Sequence, residues 1–388
     1  MERVTNTVYN IGVNDKDIDL FESQYKVPNG MSYNSYVIID EKIAIFDTVD
    51  RRFKEEWLNN LNKCLDGKNP DYLVVLHLEP DHSAGIELIC QKYPNLKVIG
   101  NIKTFSLLPQ FCKIENLENR KVEIKEGDKI SIGEHILNFV MAPMVHWPEV
   151  MMCYEETEKI LFSADAFGKF GSRDIEDNWV DEARRFYINI VGKYGVQVQN
   201  VLKKASNLDI DIICSLHGPV LTNDLSKYIE KYDKWSRYEP EVPEGILILH
   251  SSIHGNTKEV AIEFADILTK KGAKELKIID LTRDDLSEAI AQSYKYGKLI
   301  LAASSYNASV FPPMEHYLRL LKNKNYQNRK IGIIENGTWA PSAAKAMKSI
   351  IDGMKDITIV EPEITIKTIL KKENIIDLEK LAENILNV

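Results

Sequence analysis

The sequence predicts two domains of mixed α and β structure: an α+β sandwich of the αββα type over residues 1–243, and an α/β domain with a doubly wound parallel sheet over residues 246–388. Three observations support this prediction. A chain of 388 residues is too long for one ordinary hydrophobic core. Short strand patterns dominate the first part, where helical patterns separate only some of them. In the second part, strand and helix patterns alternate regularly.

The first domain is predicted from short apolar or alternating runs, which indicate strands, and from longer helical patterns between some of them. A last helix over residues 224–236 is expected to close the domain. This mixture fits an αββα sandwich better than a simple doubly wound sheet. The expected strands are 35–39, 43–47, 72–76, 97–99, 136–144 and 159–163, and the other helices are 51–65 and 83–93.

Residues 237–245 contain two prolines, a glycine and three acids, so we expect them to end the helix and form the domain boundary. Five strand–helix units follow, at roughly 30 residues per unit, which is typical of a flavodoxin-like domain. The expected strands are 246–250, 276–280, 298–303, 330–335 and either 357–360 or 363–366, and the helices are 258–271, 284–291, 313–321, 342–354 and 374–387.

The composition excludes several classes of function. A hydrophobic content of 44% and a charged content of 28% are those of a globular protein, and no apolar run approaches the ~20 residues of a membrane span. The net charge of −9 disfavours nucleic acid and anionic membranes as partners. Five scattered cysteines without a CxxC pair indicate free thiols in a reducing compartment. Because no export signal is visible, we expect a cytoplasmic location.

The segment from His77 to His82, of sequence HLEPDH, offers four metal ligands in six residues. It directly follows the predicted buried strand 72–76, and open α/β sheets place their chemistry at such strand ends. His77 and Glu79 alternate on an extended backbone, so they point the same way. Asp81 and His82 lie on the turn that follows and can reach a second ion. By itself, the Asp81–His82 pair is equally typical of a helix N-cap beside a solvated histidine.

Three further strand ends carry ligand residues. His146, Asp165 and His217 each follow a predicted strand and precede a glycine, a proline or a small residue. His146 alone would be interpreted as a satisfied core histidine. Four separate strand ends with His, Asp or Glu are hard to explain by core packing, so the set predicts a two-metal site.

The ligand order resembles the metallo-β-lactamase fold, and Glu79 in place of a second histidine resembles its di-iron branch, the flavodiiron proteins. The sequences MSYNSY at 31–36, HWP at 146–148 and FSADAF at 162–167 also resemble that family. Hard carboxylate oxygen suits iron, which cycles between two oxidation states, better than it suits a zinc hydrolase. The resemblance implies that one iron is bound by His77, Glu79 and His146, the other by Asp81, His82 and His217, and that Asp165 bridges them.

The turn after the first strand of the second domain, residues 251–257, contains hydroxyl groups, a glycine and an asparagine before a helix start. Backbone N–H groups, the helix dipole and the hydroxyls would converge on one phosphate. Neither a Walker loop nor a G-x-G-x-x-G pattern is present. By itself the turn is equally typical of a serine-rich cap, but its position predicts a monophosphate site for FMN. The predicted phosphate contacts are Ser252, Ile253, His254, Gly255, Asn256 and Thr257.

Two later turns would meet the same flavin at the carboxyl edge of the sheet. Tyr306 and Trp339 offer flat faces for the isoalloxazine ring. The family is expected to carry proline and glycine where this chain has Ser304 and Ser309, which puts the backbone contacts of that turn in doubt. The predicted contacts in these two turns are Ser304, Ser305, Tyr306, Asn307, Asn336, Gly337, Thr338 and Trp339.

The best interpretation is an oxidoreductase that passes electrons through FMN to the di-iron site and reduces O2 to water, NO to N2O, or both. The resemblance implies detoxification of these gases in an anaerobe, with Tyr25 and Tyr194 near the distal face of the irons. Alternatives are a hydrolase fused to an electron-transfer domain, and a non-enzymatic redox-sensing flavin module with a structural metal. No four-cysteine set is present, so we expect a separate donor, rubredoxin or a reduced deazaflavin. The resemblance also implies a head-to-tail homodimer, or a tetramer built from it.

Overall fold

The computed structural model describes all residues, Met1–Val388, and they divide into two compact units, Met1–Asp233 and Lys234–Val388. The sequence places the division later, between residues 243 and 246, and these domain bounds stay a prediction. One part of the boundary prediction is wrong. The last helix of the first part ends at Ser236, and the next strand already begins at Val242, so Pro243 and Gly245 lie within a strand that a bulge interrupts between Val242 and Ile246.

The first unit contains a seven-stranded and a five-stranded sheet, with orders β1-β2-β7-β8-β9-β10-β11 and β12-β13-β14-β15-β16. Two hairpin pairs, β3–β6 and β4–β5, stand apart from them. The strands are β1 (Glu2–Arg3), β2 (Val8–Asn10), β3 (Val13–Asp15), β4 (Leu20–Phe21), β5 (Tyr25–Lys26), β6 (Met31–Tyr33), β7 (Tyr36–Ile38), β8 (Ala44–Phe46), β9 (Tyr72–Val74), β10 (Lys97–Gly100), β11 (Lys121–Glu123), β12 (Lys129–Ser131), β13 (Ile136–Met141), β14 (Met151–Glu155), β15 (Ile160–Phe162) and β16 (Ile212–Cys214).

The helices of this unit are mostly short, and 3-10 turns or a π-helix extend several of them. They are α1 (Lys54–Leu65), α2 (Pro80–Ser83), α3 (Ile86–Lys92), α4 (Ile102–Leu107), α5 (Leu117–Arg120), α6 (Trp179–Phe186), α7 (Gly195–Ala205) and α8 (Leu225–Ser236), which crosses the division between the units. The 3-10 turns are Arg51–Phe53, Leu108–Gln110 and Gly192–Tyr194, and the π-helix is Tyr187–Val191.

Alternation along the central strands sorts their side chains to the two faces of the larger sheet. On one face, Val37 and Ile45 belong to the same hydrophobic cluster as Trp57 of α1 and Ile86 of α3. On the opposite face, Phe46 stacks on Phe162 of the smaller sheet with 4.0 Å between ring centroids. The two sheets therefore pack face to face with helices outside them, and the predicted αββα sandwich is confirmed.

The second unit is a parallel sheet of order β18-β17-β19-β21-β22, with β20 paired antiparallel to β19. In chain order this is 2-1-3-4-5, the order of flavodoxin-like sheets. The strands are β17 (Val242–Ser251), β18 (Leu276–Asp280), β19 (Tyr296–Tyr306), β20 (Ser309–Val310), β21 (Arg329–Asn336) and β22 (Ile357–Ile366), and the helices are α9 (Asn256–Lys270), α10 (Leu286–Lys295), α11 (Pro312–Asn323), α12 (Ala343–Ile351) and α13 (Lys372–Asn387).

Helices cover both faces of this sheet. Phe264 of α9 and Leu381 of α13 share one core cluster with Ile248 and Ile300. The predicted doubly wound sheet is confirmed. The two alternatives for the last strand are parts of one strand, β22, which accommodates Pro362 because it lies at the edge of the sheet. None of the helices in either unit combines the length and the apolar composition that crossing a lipid bilayer requires.

Candidate functional site

All seven predicted metal ligands lie where strands of the two sheets of the first unit end. His77 and Glu79 follow β9, and Asp81 and His82 lie in the short helix α2 that comes next. The loop between β13 and β14 carries His146. Asp165 and His217 follow the parallel neighbours β15 and β16, whose carboxyl ends meet at one edge of the smaller sheet. The fold thereby brings together residues from four separate segments.

The donor atoms of these residues form two groups. The first group contains His77, Glu79, His146 and Asp165, and the second contains Asp81, His82 and His217. Within each group, the ligand atoms all lie within 4.8 Å of one another. The grouping agrees with the assignment of the two ions that the resemblance implies.

Asp165 faces both groups with different oxygen atoms. Its Oδ2 lies 3.1 Å from His146 Nε2, whereas its Oδ1 lies 3.3 Å from His82 Nε2. In the first group, Glu79 Oε2 lies 3.1 Å from His146 Nε2 and 3.3 Å from His77 Nε2. This arrangement of one carboxylate between two donor groups is what a bridging ligand requires.

The spacing of the donors fits metal ions. Atoms bonded to one ion at about 2.0–2.2 Å lie roughly 2.8–3.6 Å apart when the bond angles are about 90–109°. In the second group, His82 Nε2 and His217 Nε2 are 3.1 Å apart, and His82 Nε2 and Asp81 Oδ2 are 3.4 Å apart. Both carboxylate oxygens of Asp81 and the Oδ1 of Asp165 are buried without a hydrogen bond. Buried carboxylate oxygens without partners are costly, so this donor set fits cations.

Burial and the neighbouring charges shift the pKa values of this cluster in opposite directions. Burial raises the pKa of Asp81 to about 7. Burial also favours the neutral form of Asp165, but the charges of His217 and His82 and the hydrogen bond from His146 outweigh it and hold its pKa well below the ordinary value. Burial alone would lower the pKa of His146, but hydrogen bonds to Asp165 and Glu79 raise it to about 9. In the metal-free protein, protons on residues such as Asp81 and His146 therefore balance part of the negative charge that the metal ions would balance.

Two buried carboxylates that the sequence analysis missed support the ligands from behind. Glu149 Oε1 accepts hydrogen bonds from His77 Nδ1 at 2.8 Å and from the backbone N–H of Leu78 at 3.0 Å. Asp47 Oδ1 accepts from the backbone N–H of Leu76 at 2.8 Å. Asp47 follows an apolar segment, in FDT at 46–48, and Glu149 follows the ligand His146, in HWPE at 146–149. A single acid among apolar residues is the sequence signal that could have identified them.

A cavity of about 440 Å³ lies beside the donor cluster, and its lining includes Glu79 of the first group and Asp81 of the second. Phe21 and Glu22, at the tip of the β4–β5 hairpin, line it as well. Burial and the charge of Glu79 raise the pKa of Glu22. The cavity is large enough for a small ligand and gives access to the carboxylates of both groups.

The two predicted tyrosines have different surroundings. Tyr25 packs on Phe170 with 5.7 Å between ring centroids, and its hydroxyl donates to the carbonyl of Asn189 at 3.4 Å. Phe170 contacts Phe21, which in turn packs on the ring of His217. Tyr25 is thus connected to the donor cluster by aromatic contacts. Tyr194 ends a 3-10 turn and is partly buried. The catalytic roles of both remain predictions.

In the second unit, the predicted phosphate turn connects β17 to the 15-residue helix α9. Gly255 adopts a φ of +97°, which favours glycine, and its N–H donates to Ser252 Oγ at 3.0 Å. The hydroxyl of Thr257 is buried and pairs with that of Ser304 at 2.9 Å. Since a hydroxyl both donates and accepts, Thr257 can accept from Ser304 and still donate to a phosphate.

The remaining predicted flavin contacts fall into two kinds. Tyr306 is 44% exposed and Trp339 is 91% exposed, so neither ring is part of the core. Ser305 Oγ accepts from the backbone N–H of Ser342 at 2.9 Å, and the side-chain amide of Asn336 is bonded to the backbone of Thr368. The side chains of Ser305 and Asn336 thus hold the turns in place, whereas the two aromatic rings are exposed and can cover a flat ligand. The cofactor contacts stay predictions.

Comparison with known proteins places this architecture in context. A family model described as ODP family beta lactamase matches residues 31–218. The anaerobic nitric oxide reductase flavorubredoxin of Vibrio vulnificus is 30% identical over 356 residues, which cover 87% of this chain and 70% of that protein. The nitric oxide reductase of Moorella thermoacetica is 28% identical, over 98% of this chain and 96% of that protein. The flavodiiron protein from Giardia intestinalis shares the fold, with a TM-score of 0.92 at 24% identity over 100% of this chain and 95% of that chain.

Proposed function

The chain belongs to the flavodiiron proteins, a family of oxidoreductases, and we propose that it passes electrons from FMN to a non-haem di-iron site that reduces O2 to water, NO to N2O, or both. The observation that carries this proposal is the pair of donor groups that share Asp165. Three side chains and one bridging oxygen for each ion leave positions open for a small ligand, as catalytic metal sites do.

When bound, FMN would supply one or two electrons at a time, and the iron pair would hold the gas and deliver the electrons to it. The protein supplies the positions of the donors. One group would hold its ion through His77, Glu79 and His146, and the other through Asp81, His82 and His217. The aromatic rings of Phe21 and Phe186 pack on His217 and exclude water from that side.

Tyr25 and Tyr194 are proposed as the nearby hydrogen-bond or proton donors. Burial and the charge of Glu22 raise the pKa of Tyr25, so its phenol keeps its proton at neutral pH. A protonated phenol can donate to a bound gas, and the connection of Tyr25 to His217 through Phe170 and Phe21 supports this role. Replacing each tyrosine by phenylalanine tests the role, because only the donor is removed.

The flavin would be held by the three turns at the carboxyl ends of β17, β19 and β21. The N-terminus of α9 with Ser252 and Thr257 would bind the phosphate. Tyr306 and Trp339 would cover the ring system. A phosphate site without a second phosphate-binding turn favours FMN over a dinucleotide.

A hydrolase of the metallo-β-lactamase superfamily and a non-enzymatic flavin module are the competing functions. Metal analysis, a flavin absorption spectrum and an assay of gas turnover together separate all three. The proposed enzyme contains two irons and one FMN per chain. A hydrolase would contain zinc, and a sensor would contain flavin but would not turn over either gas.

The direct test is anaerobic turnover of the reduced protein with O2 and with NO in parallel, with the loss of each gas followed at an electrode. We expect consumption of at least one gas and formation of water or N2O. Purified protein that contains zinc and no iron, and consumes neither gas, would contradict the proposal. The ratio of the two rates decides between oxygen reductase and nitric oxide reductase.

The electron donor is proposed to be a separate rubredoxin or a reduced deazaflavin. The five cysteines are free thiols without the four-cysteine set of a rubredoxin, so this chain does not carry that centre itself. Free thiols also support a cytoplasmic location. The biological role that we propose is detoxification of O2 or NO in an anaerobe.

The two cofactors are assigned to different units, and fast electron transfer requires that they lie close together. We propose a head-to-tail homodimer, or a tetramer built from it, in which each flavin faces the irons of the other subunit, because a two-fold pair makes both contacts with the same surfaces. A mixed dimer tests this. One chain carries the flavin-site substitutions Ser252→Ala and Thr257→Ala, and the other carries His77→Ala and His217→Ala. About half of the wild-type activity per dimer is expected, whereas an inactive mixed dimer would contradict the inter-subunit route.

A further inference from the structure

The carboxylate of Glu149 connects the segments that carry two of the metal donors. Its side chain is fully buried, and Oε1 accepts from His77 Nδ1 at 2.8 Å and from the backbone N–H of Leu78 at 3.0 Å. Its own carbonyl accepts from Asn101 Nδ2 at 2.7 Å, which fixes the backbone just beyond His146. Glu149 thus ties the strand end of His77 to the loop of His146.

This contact determines which nitrogen atom of His77 is available to a metal. A carboxylate accepts only, so the proton of the neutral His77 ring lies on Nδ1 and the lone pair lies on Nε2. That nitrogen faces Glu79 Oε2 at 3.3 Å and Asp165 Oδ2 at 3.9 Å. A carboxylate behind a ligating histidine orients the ring and raises its donor strength.

In the second donor group no histidine donates a hydrogen bond to a carboxylate from behind, although the buried Asp47 is close enough to interact electrostatically with His82. His217 Nδ1 donates to the backbone carbonyl of Ser32 at 2.8 Å, and His82 Nδ1 is buried without a hydrogen-bond partner. The donor atoms themselves are matched, because each group offers two imidazoles, one terminal carboxylate and one oxygen of Asp165. The difference between the groups therefore lies behind the donors: a carboxylate orients His77 through a hydrogen bond, whereas a neutral backbone carbonyl orients His217.

We propose that Glu149 is a positioning residue for His77, and that it makes the His77–Glu79–His146 group the tighter of the two metal sites. The inference rests on the proposed function, since it concerns the same pair of metal ions. It adds an order of binding: the first divalent ion to enter the metal-free protein occupies the group that contains His77.

The test is an anaerobic titration of the chelator-treated, full-length protein with Co²⁺, followed by calorimetry and by the visible absorption of the bound ion. Wild type should bind two ions in steps of unequal affinity. His77→Ala should remove the tighter step, and His217→Ala should remove the weaker one. Glu149→Gln keeps the size and an acceptor oxygen but removes the charge, so it should weaken the tighter step by about 10–100-fold and leave the weaker one unchanged.

Glu335→Gln is the matched control. Glu335 is a buried carboxylate of the second unit that accepts from the backbone N–H of Ala344 and from the hydroxyl of Thr365, so the same substitution there should leave both steps unchanged. A tighter step that survives His77→Ala, or two steps that keep their affinities in Glu149→Gln, would overturn the inference. If Glu149→Gln fails to fold, the two histidine variants still decide the order of binding, and a first ion in the group of His217 would overturn the inference. The proposed function would remain intact if Glu149→Gln bound two ions and reduced the gas at the wild-type rate. A wild-type protein that binds no metal would contradict both the inference and the proposed function.

Discussion

The donor cluster of the first unit and the three turns of the second unit that are proposed to bind FMN, called the flavin turns below, are built in opposite ways. His77, His82 and His217 are fully buried, and hydrogen bonds or packed rings hold their side chains before any ion is bound. In the flavin turns, by contrast, Trp339 is 91% exposed and Tyr306 is 44% exposed. A metal ion needs donors fixed at bonding distance. A flat cofactor brings its own apolar surface, on which exposed aromatic rings can pack once it is bound.

The comparison predicts that single substitutions are most severe in the donor cluster. Asp165→Ala removes an oxygen atom from both donor groups at once, so we expect loss of iron and of gas reduction, while FMN stays bound. His146→Ala should behave similarly but affect mainly one ion. Iron and FMN per chain are measured by elemental analysis and by flavin release. Retention of two irons in Asp165→Ala would contradict the bridging assignment.

In the flavin turns, each single substitution is expected to weaken FMN binding only in part, and the effects of two substitutions should add. Ser252→Ala with Thr257→Ala removes two predicted phosphate donors, each of which contributes roughly 1.5–3 kcal/mol with a charged acceptor. FMN affinity, measured by fluorescence quenching, should fall accordingly, with the iron content unchanged. Thr269→Ala is the control, because Thr269 lies at the other end of α9 and its hydroxyl bonds only within that helix. An unchanged affinity in the double variant would refute the phosphate assignment.

Proton competition should distinguish the two regions as well. Burial opposes the charge of His146, but its hydrogen bonds to Asp165 and Glu79 raise its pKa to about 9, so below that pH a metal must displace its proton. Apparent Co²⁺ affinity should rise with pH by up to about tenfold per unit and level off above pH 9. The stability of the metal-free protein should change in the opposite direction and fall as the pH rises. The stabilisation from this proton is complete below the ordinary pKa of 6.5 and is lost as the pH rises through 9.

These pH effects are checked by titrations between pH 6 and 9 and by denaturant unfolding of the metal-free protein. FMN affinity serves as the internal comparison, because no histidine of the donor cluster belongs to the flavin turns. Metal affinity that is independent of pH would show that the donors bind no protons in the metal-free state.

The smallest expected effect concerns the exposed aromatic ring of the flavin site. Trp339→Ala should weaken FMN binding by about 0.5–1.5 kcal/mol, the usual contribution of a stacked aromatic pair beyond its buried area. The folded protein should lose no stability without FMN, because the ring is 91% exposed. Ile376→Ala, at another exposed position of the same unit, is the control and should change neither quantity. A large loss of stability in Trp339→Ala would show that the ring packs elsewhere.

The fold and the donor residues could be predicted because their signals are local. Ligand residues such as His77 and Asp165 directly follow apolar runs, and regular alternation identifies the five-stranded parallel core of the second unit. The apolar surroundings of Glu149 indicate a buried acid, but its hydrogen bond to His77 could not be predicted, since the two residues are 72 positions apart in the chain. Similarly, the prolines of the boundary indicated a linker, but the pairing of β17 with β19 extends the strand to Val242.

The central claim is that electrons pass from FMN to the irons and from there to the gas. It is tested most directly by a single turnover of the anaerobically reduced protein with NO, or with O2 if only O2 is consumed in the parallel assay, in which flavin absorption and the loss of the gas are followed together. Wild type should reoxidise its flavin as the gas is consumed. Asp165→Ala, with FMN bound but iron lost, should reoxidise its flavin and consume the gas far more slowly. Equal rates of flavin reoxidation and gas consumption in both proteins would contradict the account.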